Sequence, residues 1–315
     1  MADTIHKTTG GGNKNLHSSR IAKQDEFYTL FETVNEELKH YKEHFKNKVV
    51  FCNCDDPEYS NFYKYFKINF AHLGLKKLIT THYENDKPSY KLIITEYTEK
   101  DPPRETLLQN GDFRSDECIK LLNECDIVAT NPPFSLMKEY LPMLISSGKK
   151  FIILGNLNHA TWAETFPLLM EHKFWLGVNS GHFWFKVPDY YEEKKTDFKI
   201  DENGQKYRRM GNCCWFTNID IPQRHIPLIL YKKYNNEEYP KFDNFDAIEC
   251  SKVQDIPEDT DKIIGVPLTY LAKHCNEQFE IIGKMQSDSG NDYDFGFPRI
   301  NGNNKYVRIL IRRKK

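Results

Sequence analysis

The chain is predicted to be an α/β protein, a parallel sheet covered by helices on both faces, with a second, smaller domain after it. Three observations carry this. Strand-like and helix-like runs alternate from residue 33 to about 176, the order that builds a parallel sheet. The alternation stops beyond Pro222, and Tyr, Asn, Asp and Pro dominate residues 231–262. Finally, the apolar run Ile127-Val128-Ala129-Thr130 ends in Asn131-Pro132-Pro133-Phe134. Proline lacks an N–H donor and fixes φ, so the strand must stop at Thr130 and a rigid turn must follow.

In chain order, residues 1–22 form a Gly-, Asn-, Ser- and Thr-rich arm that reads as disordered. Through residue 23 it carries Lys7, Lys14, Arg20 and Lys23 against Asp3 alone, so it is either a phosphate-contacting arm or an idle tail. Residues 23–222 form the larger domain. Val34, Leu38, Tyr41 and Phe45 recur at helical spacing and predict a helix over 33–45. Lys48–Cys54 reads as a strand closed by Asp55-Asp56-Pro57. Tyr59, Phe62, Tyr63, Phe66 and Phe70 make one face of the next helix, and Leu75–Thr81 is a second strand. Tyr90–Tyr97 is an extra strand or hairpin. Ser115 caps a helix that turns Cys118, Leu121, Leu122 and Cys125 inward. After the strand ending at Thr130 come a helix over 136–146 and a strand from Lys150 to Leu154. Trp162, Phe166 and Leu169 suggest a helix that Pro167 must kink or shorten. Strands follow at 174–177, 183–187 and 212–218. Residues 223–315 form the smaller domain, with short apolar pieces at 263–271 and 279–282. Its last 17 residues hold seven Lys or Arg and no acid.

Composition narrows the class. Of 315 residues, 39% are hydrophobic and 14% aromatic, enough for a sizeable core. The net charge of −1 gives no global field toward nucleic acid, so any such attraction must be local. The eight Cys form no C-x-x-C pair, which argues against zinc and against a secreted disulfide framework. No apolar run reaches membrane length. A cytoplasmic monomer with reduced thiols and no membrane contact is expected.

Ligands of open α/β sheets bind at the carboxyl ends of strands, which points to Asn131 and its turn. The amine of an aromatic ring is a poor nucleophile, because its lone pair is delocalised. The Asn131 amide oxygen and the Pro132 carbonyl could accept its two hydrogens and localise that lone pair, with placed acceptors in place of a strong base. Phe134 could stack on the ring; otherwise it is a core residue beside a Pro-rich loop.

Taken together, the sequence runs resemble the EcoRI-type adenine-specific modification methylases. Those runs are Asp25-Glu26-Phe27-Tyr28-Thr29, Asn53-Cys54-Asp55-Asp56-Pro57, Asn61-Phe62-Tyr63-Lys64-Tyr65-Phe66 and Asn131-Pro132-Pro133-Phe134-Ser135. Gly211-Asn212 with Trp215-Phe216-Thr217-Asn218, and Gly265-Val266-Pro267, belong to the same likeness. The resemblance implies a Rossmann-like sheet that binds S-adenosylmethionine and a C-terminal target-recognition domain. It implies methyl transfer to N6 of a flipped adenine in double-stranded DNA, for restriction–modification protection. Catalysis falls to Asn131, Pro132, Pro133 and Phe134. Cofactor contacts fall to Phe27, Tyr28, Thr29, Asp55, Asp112 and Phe113. Phosphate contacts are expected from Lys14, Arg20, Arg308, Arg312 and Arg313.

Each cofactor assignment has a plainer counterpart. Asp55-Asp56-Pro57 also reads as a helix N-cap, Gly111-Asp112-Phe113 as a turn with a core Phe, and Phe27-Tyr28-Thr29 as a hydrophobic staple. No Gly-rich turn follows the first strand, and no acid closes the second, where Thr80-Thr81-His82 stands. Phe183, Trp184 and Phe185 are candidates to close the second face of the base. Two other enzyme readings remain open, methylation of RNA adenine and of a protein amide. From another class comes an inactive, sequence-specific DNA-binding protein.

Overall fold

The computed structural model describes residues 27–85, 87–288 and 290–314. Strand β1 (Tyr28–Thr29) leads into helix α1 (Phe31–Leu38), which continues as a 3-10 helix over Lys39–Phe45. The expected apolar face is present, with Val34, Leu38, Tyr41 and Phe45 fully buried. Leu38 and Tyr41 are three residues apart, so the tighter three-residue turn keeps both on the core side.

Strand β2 (Val49–Cys52) is buried throughout. Helix α2 (Asn61–Ile68) begins at Ser60, whose Oγ accepts from Phe62 N at 3.0 Å and Tyr63 N at 3.2 Å. Ser60 is therefore the cap, and not Asp55 or Asp56. Tyr59 falls before the helix and is 51% exposed, not on its apolar face. Strands β3 (Lys77–Thr81), β4 (Tyr90–Ile94) and β5 (Glu105–Thr106) follow. Helix α3 (Asp116–Glu124) starts at the expected cap, with Ser115 Oγ accepting from Cys118 N at 3.3 Å. Next come β6 (Ile127–Thr130), α4 (Met137–Ser146), β7 (Lys150–Asn156) and α5 (Phe166–Met170). Pro167 sits in the first turn of α5, where its missing N–H breaks no bond, so it starts this helix.

Two long strands, β8 (Trp175–Lys186) and β10 (Lys206–Thr217), complete the main sheet, with short β9 (Phe198–Ile200) paired to β10. Residues 174–187 read as two strands because Asn179, Ser180 and Gly181 are poor strand formers. The structure runs one strand through them. Phe216 pairs with Leu176 and Cys214 with Ser180, so β8 holds two extra residues in that interval. The displaced N–H groups of Val178 and Asn179 donate to the Glu37 carboxylate of α1, each at 2.8 Å. Burial pushes the Glu37 carboxyl up, and those backbone bonds oppose the shift.

The main sheet runs β1-β8-β10-β7-β6-β2-β3-β4-β5. Only β7, β6, β2 and β3 are mutually parallel; the flanks are antiparallel. The all-parallel expectation thus holds for the centre alone. The chain passes from β2 to its neighbour β3, then crosses to β6 on the other side of β2. The switch point, where such sheets hold ligands, therefore lies between the carboxyl ends of β2 and β6.

Beyond residue 222 a second sheet forms from β11 (Ile248–Glu249), β12 (Ile264–Pro267), β13 (Phe279–Met285) and, after the small pair β14 (Arg299–Ile300) and β15 (Asn303–Asn304), β16 (Arg308–Arg313). Its order is β11-β12-β16-β13. Ile248, Ile264, Val266, Phe279, Ile309 and Ile311 join Phe166, Phe174 and Phe216 in one buried cluster, so the two sheets share a core. Among the described residues, no helix is long and apolar enough to cross a membrane.

Candidate active site

At the switch point, Asp55 leaves β2 and its carboxylate turns back under β6. It accepts from Ser60 Oγ at 2.7 Å, from Thr130 Oγ1, and from Asn131 N at 3.4 Å. Thr130 Oγ1 also accepts from Cys54 N at 3.1 Å, which ties the ends of the two strands together. Burial pushes the Asp55 carboxyl up to about 6, against the three hydrogen bonds that pull it down.

Asn131 is half-buried at the end of β6, and its Nδ2 donates to the Phe27 carbonyl. That bond aims Oδ1 the other way. Among the described residues no donor reaches Asn131 Oδ1 or the Pro132 carbonyl. Pro133 O accepts from Leu136 N at 3.0 Å and closes the turn into α4. Phe134 is half-buried.

The segment 27–29 arrives from the far edge. Tyr28 pairs with Lys186 and Thr29 with Phe185 on β8, and Asn61 Nδ2 donates to Thr29 O at 2.7 Å. Thr29 is buried, and among the described residues its Oγ1 has no partner. Phe27 meets Phe185 edge-on at 5.7 Å, and Tyr28 lies 5.5 Å from Tyr59.

The third segment crosses above β3. Gly111 has φ +78, and a Cβ there would lie 2.0 Å from His82 O, so only glycine lets the loop settle onto that strand end. Phe113 is buried and meets Tyr140 edge-on at 4.9 Å, while Tyr140 OH donates to Asn53 Oδ1 at 2.5 Å. Arg114 covers the Phe113 ring at 5.1 Å and bonds Asp112 through Nε at 2.9 Å and a terminal nitrogen at 2.8 Å. Burial raises the Asp112 carboxyl, but the Arg114 bonds outweigh it and hold it below the usual carboxylate range. A cofactor ring stacked on Phe113 would have to displace Arg114. Where no acid closes β3 in sequence, the fold supplies two near His82. Asp56 Oδ2 is 3.1 Å from its Nδ1, and Glu84 Oε2 is 3.5 Å from its Nε2.

A neighbour the sequence does not flag is His159. It sits in the turn Leu157–Thr161 after β7, with its ring 5.3 Å from Phe134 at 84° and 4.4 Å from Trp162. Its Nδ1 accepts from Asn156 N at 3.2 Å, and burial lowers its pKa to about 4, so it is neutral at ordinary pH. The only advance signal is Asn156 at a strand end three residues before a His, a capping pair. Of the three aromatics proposed for the second face, Phe185 is a core residue, and Trp184 lies under Lys199 at 4.5 Å and Arg209 at 5.7 Å. Phe183 is half-buried and packs on the same cluster as Phe27 and Phe134.

The expected phosphate contacts fare unequally. Lys14 and Arg20 lie outside the described residues. Arg308 is a correction. It is buried, bonds Glu249 Oε1 at 3.1 and 2.7 Å, and donates to the carbonyls of Tyr306 and Val307. A guanidinium so committed is a structural ion pair. Arg312 is exposed and bonds Glu280 at 2.6 Å; Arg313 is exposed and bonds the Glu258 carbonyl.

Comparison with known proteins identifies the family of the chain. The family model described as adenine-specific methyltransferase EcoRI matches residues 15–314. The type II methyltransferase M.EcoRI of Escherichia coli is 44% identical, with 96% of this chain and 97% of the relative aligned. The type II methyltransferase M.MpnI of Mycoplasma pneumoniae is 37% identical over 95% and 98%, and one of Mycoplasma genitalium is 33% identical over 95% and 99%. No solved structure gives a significant match. With a Rossmann-like sheet, an Asn-Pro-Pro-Phe turn at its switch point and a family match over nearly its whole length, the chain belongs to the EcoRI family of adenine-specific methyltransferases.

Proposed function

We propose that this enzyme moves a methyl group from S-adenosylmethionine to N6 of an adenine extruded from double-stranded DNA, as the modifying partner of a restriction system. The observation that carries the reading is the pair of open acceptors at the end of β6, Asn131 Oδ1 and Pro132 O, beside the half-buried Phe134 ring. They are what an aromatic amine needs, two acceptors for its hydrogens and a ring face for its base.

The cofactor fits the groups around that pair. Thr29 Oγ1 is a buried polar atom without a partner among the described residues, and such atoms in native folds call for an explanation such as a ligand. Phe27, Tyr28, Thr29 and Asp55 would hold the methionine end, and Asp112 with Phe113 the adenine end. Asp56 and Glu84, which flank His82 just beyond β3, are the acids that would take the ribose. When bound, the cofactor supplies an electrophilic methyl group.

The chain's own residues then do three things. Asn131, oriented by the Phe27 carbonyl, and Pro132 O accept the amine hydrogens and turn its lone pair outward. Phe134, braced edge-on by His159, stacks on the base, which offsets part of the few kcal/mol that unpairing requires. The neutral imidazole adds no charge beside the amine. A cytoplasmic location fits the eight free thiols, seven of them buried.

The test is transfer of labelled methyl from S-adenosylmethionine to duplex DNA, to RNA and to protein acceptors, with modified bases sequenced in DNA from expressing cells. Label in duplex DNA, as N6-methyladenine at one recurring sequence, is expected. Label only in RNA or protein, or cofactor binding with no transfer, would overturn the reading.

A further inference from the structure

We infer that Lys284, on the C-terminal sheet, is a positioning residue that sets the turn holding His159 against Phe134. Lys284 lies in β13 and is 3% exposed. Its Nζ crosses to the other sheet and donates to the Thr161 carbonyl, in the turn that carries His159. A second bond runs to Gln286 Oε1 at 3.0 Å, and the Phe166 ring lies 5.2 Å away.

The nearby acid does not explain the lysine. Asp294 Oδ2 is 3.8 Å from Nζ, a long contact. Asp294 is already satisfied by Gln286 N at 3.0 Å, Ser287 N at 3.3 Å and Ser287 Oγ at 2.9 Å. Burying an ammonium is costly, and apolar replacements of buried ion pairs are often neutral or stabilising. Stability is thus a weak reason for a lysine here, and orientation of the turn is a stronger one. Burial also lowers the Lys284 pKa, a sign of the same desolvation.

The turn can transmit a position because its own bonds are dense. Thr161 Oγ1 donates to Asn158 O at 3.0 Å, and Thr165 Oγ1 donates to His159 O. Asn156 Nδ2 fixes the turn's other end to Gly211 O of β10 at 3.0 Å. The C-terminal sheet holds one side and the main sheet the other, and the His159 ring between them is edge-on to Phe134.

This inference rests on the stacking role proposed for Phe134, and the experiment separates the two. Wild type, Lys284→Met and Asp294→Asn are compared on a duplex with 2-aminopurine at the target adenine, the site being taken from sequencing of modified bases. Turnover, DNA KM, cofactor affinity and probe fluorescence at saturating protein are read. Lys284→Met should lower kcat by about ten- to a hundredfold through misplacement of Phe134. Its DNA KM and cofactor affinity should stay within about twofold of wild type, and its probe signal should change. Asp294→Asn leaves the Thr161 bond intact and should keep kcat. If Lys284→Met does not fold, Lys284→Asn, polar but two bonds shorter, carries the same expectations. Wild-type kcat and probe signal in the Lys284 variant would overturn the inference alone, as would an equal kcat loss in Asp294→Asn. A wild-type protein that gives no probe response would overturn the stacking role, and the inference with it.

Discussion

At the carboxyl end of the parallel core, Asn131 Oδ1 and Pro132 O meet no donor among the described residues, and Thr29 Oγ1 is buried without a partner. In the C-terminal sheet, buried Arg308 and Lys284 bond Glu249 and the Thr161 carbonyl, and exposed Arg312 pairs with Glu280. Both regions are rich in polar side chains, but one leaves hydrogen-bonding capacity open and the other closes it. The lesson concerns reading charge. A run of basic residues in sequence does not say which of them face a phosphate, whereas an acceptor held open by its neighbours at a strand end does say where a ligand is expected.

The largest effect that tests this contrast is on stability. Arg308→Ala should destabilise the fold by about 3–5 kcal/mol, because Glu249 would be left buried and unpaired. Denaturant unfolding would show it. A variant of normal stability with weakened DNA binding would restore the phosphate role and break the comparison.

On the other side, Asp55 links the site to pH. Its folded-state pKa is raised by burial to about 6 from an ordinary 3.8. Its contribution to stability is therefore fully present below the ordinary value and is lost as pH rises through about 6. Relative to Asp55→Asn, wild type should lose on the order of 3 kcal/mol between about pH 4 and pH 7. Melting temperatures of both proteins across that range would check it, and a constant difference would contradict it.

Smaller still, Phe134→Ala should reduce turnover by an amount set by lost stacking, roughly 1–3 kcal/mol, with specific binding little changed. Equal turnover would return Phe134 to the core. Smallest is the arm. Deleting residues 1–22 removes Lys7, Lys14 and Arg20, which should flatten the log-affinity against log-salt slope by up to about three units. An unmoved slope would make the arm an idle tail.

Much of the fold around the candidate site was legible in the sequence because its signals are local. Pro132 follows the end of β6, Ser115 caps the helix that precedes that strand, and helical spacing marks the buried face of 33–45. The misses depend on distant partners. Glu249 and Arg308 are 59 residues apart, and nothing in either neighbourhood announces the other. Glu37 lies on an apolar helix face, and its acceptor role needs the two extra residues of β8. His159 became a neighbour of Phe134 only when β7 was placed beside β6. The antiparallel flanks were hidden for a like reason, since strand direction is set by connections and not by composition.

The most direct test of the central claim, that Asn131 activates the amine, is single-turnover methyl transfer by Asn131→Ala on its target duplex, alongside cofactor titration. Loss of one placed acceptor is worth on the order of 3 kcal/mol, so transfer should slow by hundreds-fold or more. Cofactor affinity should stay within about twofold, because the role proposed for Asn131 is toward the amine and not the donor. Near-normal transfer by the variant, or a collapse of cofactor binding that accounts for the whole loss, would contradict the account.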